Sequence, residues 1–283
     1  MEESTNAFLA HLPPDTPYYQ YAGMGQLEDL PSNTDFVVIT EIAPDTVDST
    51  ERFPGRVNYS PTLRILILKM VNEVHEIAAE KFVVMLAILT ERMAVRRRIT
   101  NRGATRTETP GRCKEADRSW APAYECGQTY LEWPTVALEV GSSESKAKLE
   151  KDIAWWINGS KGEVRQGIVI NIQKASSSIY ITSWMPAHDS SNPTTGGSRS
   201  RPLNVTREQP PRLIQSITIN HGKNGKPATL KGGTLTIPAG HLLNDPTSAT
   251  GDFIFTEEIL LEDIAKPIWA AIDAEKGSVE RMG

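Results

Sequence analysis

The sequence predicts an α/β fold: a mixed central sheet flanked by helices, extended at its C-terminal end by a β-hairpin and a helix. Three observations predict it. Short β-branched runs bounded by turn residues alternate with longer stretches of helical period. The stretch WPTVALEVGSSESKAKLEKDIAWWINGS, Trp133 to Ser160, passes from a strand pattern into an amphipathic helix, and a further strand pattern follows it. Finally, 283 residues at 39% hydrophobic content can bury a sizeable core, while two cysteines, Cys113 and Cys126, cannot build a disulfide framework.

In chain order, residues 1–33 are polar and Pro-rich and read as a loose N-terminal segment, with one domain over 34–283. TDFVVITEI gives a strand around Phe36 to Ile42. A Pro/Gly stretch runs on to Pro61. From Thr62 to about Val95 the period is helical, with Ile67, Met70, Val71, Val74, Ile77 and Ala78 on one face. RCKEAD leads into a strand near 112–118, and Trp133 to Gly141 is another. Ser145 to Asn158 is a helix stopped by Asn158-Gly159 and Gly162. Strands follow at about 164–173 and 178–185. Residues 186–212 are rich in Ser, Thr, Pro and Gly and read as a flexible loop. RLIQSITIN is then a strand, and ATLKGGTLTIP a hairpin around Gly232-Gly233. TEEILLEDIAKPIWAAIDA is the closing helix, with Thr256 as N-cap and Pro267 placed to kink or split it.

Several function classes are excluded early. The longest apolar run, FVVMLAIL from Phe82 to Leu89, is too short to span a bilayer. MEESTNAFLAHLPPD has neither a basic nor an apolar leader region, so the expectation is an intracellular protein without a membrane partner. The five His show no metal-ligand spacing, and there is no phosphate-cradling Gly-rich loop or nucleophile elbow. A net charge of −5 argues against coating nucleic acid with the whole surface.

The chemistry-bearing residues are acids. Glu139 stands inside an apolar run, between Leu138 and Val140, where an unpaired carboxylate is costly. Asp117 ends the RCKEAD strand. If these strands are neighbours, both carboxylates meet at one edge of the sheet, as a hard divalent cation such as Mg²⁺ requires. Glu73 on the long helix and Gln173 on the strand after the crossover helix are possible additional site residues, although solvated positions suit both. The segment ERMAVRRRITNRGATRTETPGRCK concentrates Arg96, Arg97, Arg98, Arg102, Arg106, Arg112 and Lys114 just upstream of Asp117. Guanidinium forks fit phosphate oxygens, so these residues are candidates for a nucleic-acid backbone grip; a solvated basic loop is the plainer alternative.

An Asp at a strand end, a second strand running into Glu, a crossover helix and another strand resemble the PD-(D/E)XK nuclease superfamily. KEADRSWAP and PTVALEVGSSES are similar to the restriction-endonuclease-like proteins of filamentous fungi. The likeness spans roughly Thr62 to Trp184, with a looser one around Ile268-Trp269. It implies a restriction-endonuclease-like sheet, Mg²⁺ or Mn²⁺ held by Asp117 and Glu139, and hydrolysis of phosphodiester bonds. It also implies a nucleic-acid partner, DNA ahead of RNA, and leaves room for a homodimer. Two departures stand against it. The motif lysine, two residues after the Glu, is Gly141, and Ala116 replaces the motif proline. Some branches supply the lysine from the following helix. Among Lys146, Lys148 and Lys151, helical phase puts Lys146 on the inward stripe of Leu149, Ile153, Trp156 and Ile157, making Lys146 the candidate catalytic lysine. The alternative is a catalytically inactive nuclease-fold protein that binds nucleic acid or a protein partner.

Overall fold

The computed structural model describes residues 4–31, 33–50, 52–124, 131–142, 144–187, 209–222, 226–245, 247, 249 and 251–282. Most of its strands form two sheets. The N-terminal sheet takes β1 (Tyr18–Gln20), β2 (Phe36–Thr40), β3 (Arg56–Ser60) and β4 (Ile65–Lys69). Short helices α1 (Thr5–Phe8), α2 (Gly25–Glu28) and α3 (Pro44–Ser49) are interspersed. The long helix α4 (Glu73–Arg92) leads on to β5 (Ile99–Asn101), β6 (Arg106–Thr109), β7 (Arg112–Glu115) and β8 (Arg118–Pro122). Strands β6 and β7 complete a six-stranded sheet of order β1-β2-β4-β3-β7-β6.

The second sheet is built on β9 (Val136–Gly141), helix α5 (Lys146–Gly159) and β10 (Gln166–Gln173), a parallel pair joined by its crossover helix. Antiparallel β11 (Ser178–Met185), β12 (Arg212–Asn220) and β13 (Thr229–Lys231) extend one side, and β8 and β5 the other. The result is a mixed α/β arrangement whose seven-stranded mixed sheet is flanked by helices. Its one face, with Leu138, Val140, Ile168 and Ile170, packs on α4 and the C-terminal helix. Its other face, with Ala137 and Val169, packs on Leu149, Ile153, Trp156 and Ile157 of α5. That apolar stripe on α5 is the one the sequence predicts.

Several sequence expectations are corrected. The segment 1–33 is not loose where it is described: β1 pairs in parallel with β2, and Phe8 and Leu27 are buried. The helix expected from Thr62 begins only at Glu73, because ILILK at 65–69 is a strand with every residue buried. A short apolar run buried on both faces has no period to distinguish strand from helix. Within the stretch read as a Pro/Gly connection, β3 pairs with β4. The strand expected at 112–118 is two strands in two sheets, β7 and β8, and the chain crosses between them at Ala116-Asp117.

The hairpin around Gly232-Gly233 does not form. Strand β13 pairs with β12, whereas β14 (Leu235–Ile237) pairs with β15 (Phe253–Phe255) beyond the short helix α6 (Ala239–Leu242). The two glycines have φ of 104° and 75° and turn the chain from one sheet to the next. Most of the loop predicted at 186–212 lies outside the described residues. The closing helix is capped by Thr256, whose Oγ1 accepts from Ile259 N. It starts as a π-helical stretch, Ile259–Ala265, and continues as α7 (Lys266–Met282). Pro267 is the second residue after that stretch; its missing N–H leaves a carbonyl one turn back without its usual partner.

Candidate active site

Asp117 lies where the chain leaves one sheet for the other, one step beyond the Arg118↔Leu138 pair of β8 and β9, and so opposite Glu139. The two carboxylates predicted to converge do so. They are buried, at 0% and 2% exposure. What stands between them is an ammonium group. Lys69, the last residue of β4, donates from Nζ to Asp117 Oδ2 at 2.7 Å and to the Val140 carbonyl at 2.6 Å. The same Nζ is 2.9 Å from Glu144 Oε1 and 3.7 Å from Glu139 Oε2. Asp117 Oδ2 also accepts from Val140 N at 2.7 Å, which locks the acid to the neighbouring strand.

Glu139 reaches a second cluster below α5. Its Oε1 accepts from Trp156 Nε1 at 2.7 Å and is 3.1 Å from Lys114 Nζ. Lys114 also pairs with Asp152 at 2.8 Å, and Asp152 with Lys148 one turn earlier on the helix. On the far side of Asp117, His75 Nε2 is 3.0 Å from Oδ1, outside hydrogen-bond alignment. Glu76 bridges Arg56 and Arg118 at 2.8 and 2.9 Å. The start of α4 is fixed to the β9–α5 turn: the Asn72 side chain caps His75 N and donates to Ser142 Oγ.

Protonation follows from this packing. Burial raises the Asp117 pKa, but the His75 and Lys69 charges outweigh it and hold the carboxyl well below its usual range. For Lys69, burial works downward and the charges of Asp117, Glu144 and Glu139 work upward; the net shift is well above the ordinary lysine value. Asp152 is lowered, burial being overcome by Lys114 and Lys148. Glu139 moves the other way: burial raises it, and Lys114 only partly compensates.

The remaining predicted residues divide. Lys146 does not reach the acids. Its side chain is 78% exposed and pairs with Glu150 at 3.6 Å. It sits in the first turn, where side chains tilt toward the helix N-terminus and beyond the sheet edge. Lys148, which helical phase assigns to another face, is buried, with its ammonium over the Phe36 ring at 5.3 Å. The six-stranded sheet covers that flank of α5. Glu73 is exposed at the first position of α4; Glu76, one turn on, is the helix acid near the site. Gln173 is exposed and donates to Asn171 Oδ1. Together with Lys146, Glu144, Leu149, Val169 and Asn171, it lines a cavity of about 900 Å³, which Asp117 and Glu139 do not line.

The basic segment is not one patch. Lys114 is in the carboxylate cluster, so it cannot contact a backbone phosphate. Arg112 is buried, bonded to Asn58 and placed over the Phe8 and Trp155 rings. Arg102 donates to the Leu131 and Glu132 carbonyls, and Arg106 pairs with Glu115. Arg96, Arg97 and Arg98 form a 3₁₀ turn, in which Arg96 and Arg97 are exposed.

Sequence reasoning misses Lys69, Glu144, His75 and Asp152. A signal exists for Lys69: it ends the apolar run ILILK as Glu139 interrupts VALEVG. The donor set around its ammonium, three carboxylates and one carbonyl, has the hard-oxygen chemistry of a divalent-cation site. Among the described residues, no group of three or more His, Cys, Asp or Glu is arranged to hold a metal ion.

No family model matches this sequence, and neither does any curated protein. Among solved structures, the chain is similar to a "putative nuclease belonging to DUF820 from Anabaena variabilis ATCC 29413", with a TM-score of 0.37 and 14% identity over 51% of this chain and 79% of that one.

Proposed function

We propose that this chain is a nuclease-fold phosphodiester hydrolase acting on nucleic acid, with Asp117 and Glu139 as its metal-binding acids. The observation that carries the reading is the convergence of Asp117, Glu139, Glu144 and the Val140 carbonyl on one cationic point. Mg²⁺ or Mn²⁺ held there would offset charge on the scissile phosphate and lower the pKa of the attacking water. Lys69 fills that point in this structure, so an ion would be held only as the ammonium moves aside. Displaced but still beside the acids, Lys69 would take the part expected of the motif lysine absent at Gly141 and orient water or a phosphate oxygen. Trp156 and Lys114 fix the Glu139 carboxylate from behind. Arg96 and Arg97 remain for backbone contact.

Burial supports a second reading, a nuclease-fold protein that does not cleave. Asp117, Glu139 and Glu144 are all at least nine-tenths covered and each has a cationic partner. The discriminating experiment incubates single- and double-stranded DNA and RNA with the protein in Mg²⁺ or Mn²⁺, alongside Glu139→Gln. Cleavage lost in the variant supports the hydrolase. Equal cleavage by both identifies a contaminant, and none by either supports the second reading.

A further inference from the structure

We infer that Lys69 is a built-in competitor for the cation site: its ammonium and a divalent cation contend for the same oxygens, with Glu144 as the third acidic ligand. The inference rests on the proposed reading of Asp117 and Glu139 as a cation-binding pair, and it adds two residues that the sequence pattern does not supply. Four oxygens from three chain segments surround Lys69 Nζ, three of them at 2.6–2.9 Å. Those are ammonium distances. A Mg²⁺ ion needs about 2.0–2.1 Å, so the ligands must draw inward by roughly half an ångström or more once the ammonium leaves.

Asp117 Oδ1 lacks an aligned hydrogen bond but faces His75 Nε2 at 3.0 Å, so the unused capacity is at Glu144. Its Oε2 is buried and has no hydrogen-bond partner among the described residues, while its Oε1 is on Lys69. A buried acceptor left this way is costly, and a small multivalent cation between the carboxylates relieves that cost better than one ammonium with three hydrogens. Glu144 is carried by the short turn between β9 and α5, and that turn borders the cavity of about 900 Å³. The cavity is lined by Glu144 but not by Lys69, Asp117 or Glu139, so an ion entering from it would meet Glu144 first.

The test is a Mn²⁺ titration of the wild-type chain, Lys69→Ala and the double variant Lys69→Ala/Glu144→Gln, read by calorimetry and by thermal melting with and without Mn²⁺. An adjacent cation lowers the pKa of such acids by about one to three units, and a second cation competing for the same oxygens is opposed in the same sense. Lys69→Ala is therefore expected to bind Mn²⁺ about tenfold or more tightly than wild type. Its melting temperature should rise in Mn²⁺ by more than that of wild type, and the Glu144→Gln change should remove much of the gain. Equal binding by wild type and Lys69→Ala overturns the inference. So does a folded Lys69→Ala that binds no Mn²⁺, or a chain that saturating Mn²⁺ cannot fold in either variant, because the ion then does not replace the ammonium. The two readings fail separately. A wild type that cleaves nothing, beside a Lys69→Ala that gains the ion, sinks the hydrolase and keeps the competitor. A wild type that cleaves and already binds Mn²⁺ as tightly as Lys69→Ala does the reverse.

Discussion

Leu149 fills the space that a side chain on Gly141 would need: an ideal Cβ there would stand 2.7 Å from Leu149 Cδ1 and 3.1 Å from Glu144 Cβ. Gly141 stands two residues after Glu139, where the resemblance read from the sequence expects a lysine, and packing disfavours one there. A side chain at that point must push aside Leu149, a buried residue of α5. Gly141→Lys is therefore expected to lower stability by about 1–3 kcal/mol through overpacking, without adding cleavage activity. Urea denaturation checks the first part. Leu149→Ala in the same chain should recover part of the loss, although alone it costs about 2–5 kcal/mol.

The Lys69–Asp117 pair is a second case in which removal and replacement differ. Taking away one partner of a buried pair leaves the other charge uncompensated, at a cost of about 3–5 kcal/mol. Lys69→Met, assayed without divalent ions, is expected to lose stability in that range. Asp117→Asn added to it should restore part, because the amide needs no counter-charge. A double-mutant cycle by chemical denaturation gives the coupling, and additivity would deny the pair its place in the fold.

These two positions also show what the sequence can and cannot display. The strand–helix–strand unit around Glu139 is legible because its pattern is local: VALEV is a short apolar run buried on both faces, and Leu149, Ile153, Trp156 and Ile157 recur as a helix stripe. Asp117 and Glu139 are legible because a carboxylate beside an apolar run demands a partner. Their partners are not. Lys69 precedes Asp117 by 48 residues and comes from the other sheet, whose presence nothing in the strand patterns announces. That same sheet buries the Lys148 flank of α5, so a helix read as having one apolar face in fact has two covered flanks. Lys114 misleads for a related reason: it belongs to an Arg-rich run in sequence, but β7 aims it at Glu139 and Asp152.

The two lysines of α5 should therefore respond oppositely to the phase argument. Lys146 is exposed and, among the described residues, pairs with Glu150 at 3.6 Å. Lys146→Ala is expected to change stability by no more than about 0.5 kcal/mol, as surface pairs generally do. Lys148→Met breaks a buried pair with Asp152 and should cost about 3–5 kcal/mol. Thermal melts of both variants decide it. A larger loss in Lys146→Ala would return that residue to the interior.

The pH dependence of stability carries the signature of the cluster on both sides of neutrality. Asp117 and Asp152 have depressed folded-state pKa values, so their contribution is in place above their unfolded values of about 3.9 and is lost as pH falls through the lower folded values. Glu76 acts in the same direction, over a window from about 4.3 down to a folded value of about 2. His75 beside it, 3.7 Å away, is the largest influence; burial opposes, and Arg118 and Arg56 assist. Glu76 is 38% exposed, so its share should shrink in high salt. His75 has the opposite sign. Burial lowers its pKa, Asp117 more than reverses this, and the resulting stabilisation is complete below about 6.5 and lost as pH rises through the folded value. Glu139, raised by burial, costs stability once pH passes its unfolded value of about 4.3 and its ionisation is forced. Denaturation from pH 2 to 9 should thus show a steep acid limb and a shallower fall above neutrality. His75→Gln is expected to reduce the alkaline fall and also to soften the acid limb, because the imidazolium helps to hold Asp117 and Glu76 down, whereas Asp152→Asn should soften the acid limb and leave the alkaline one. An alkaline fall as large in His75→Gln as in the wild type would mean that the imidazole is not charged against Asp117.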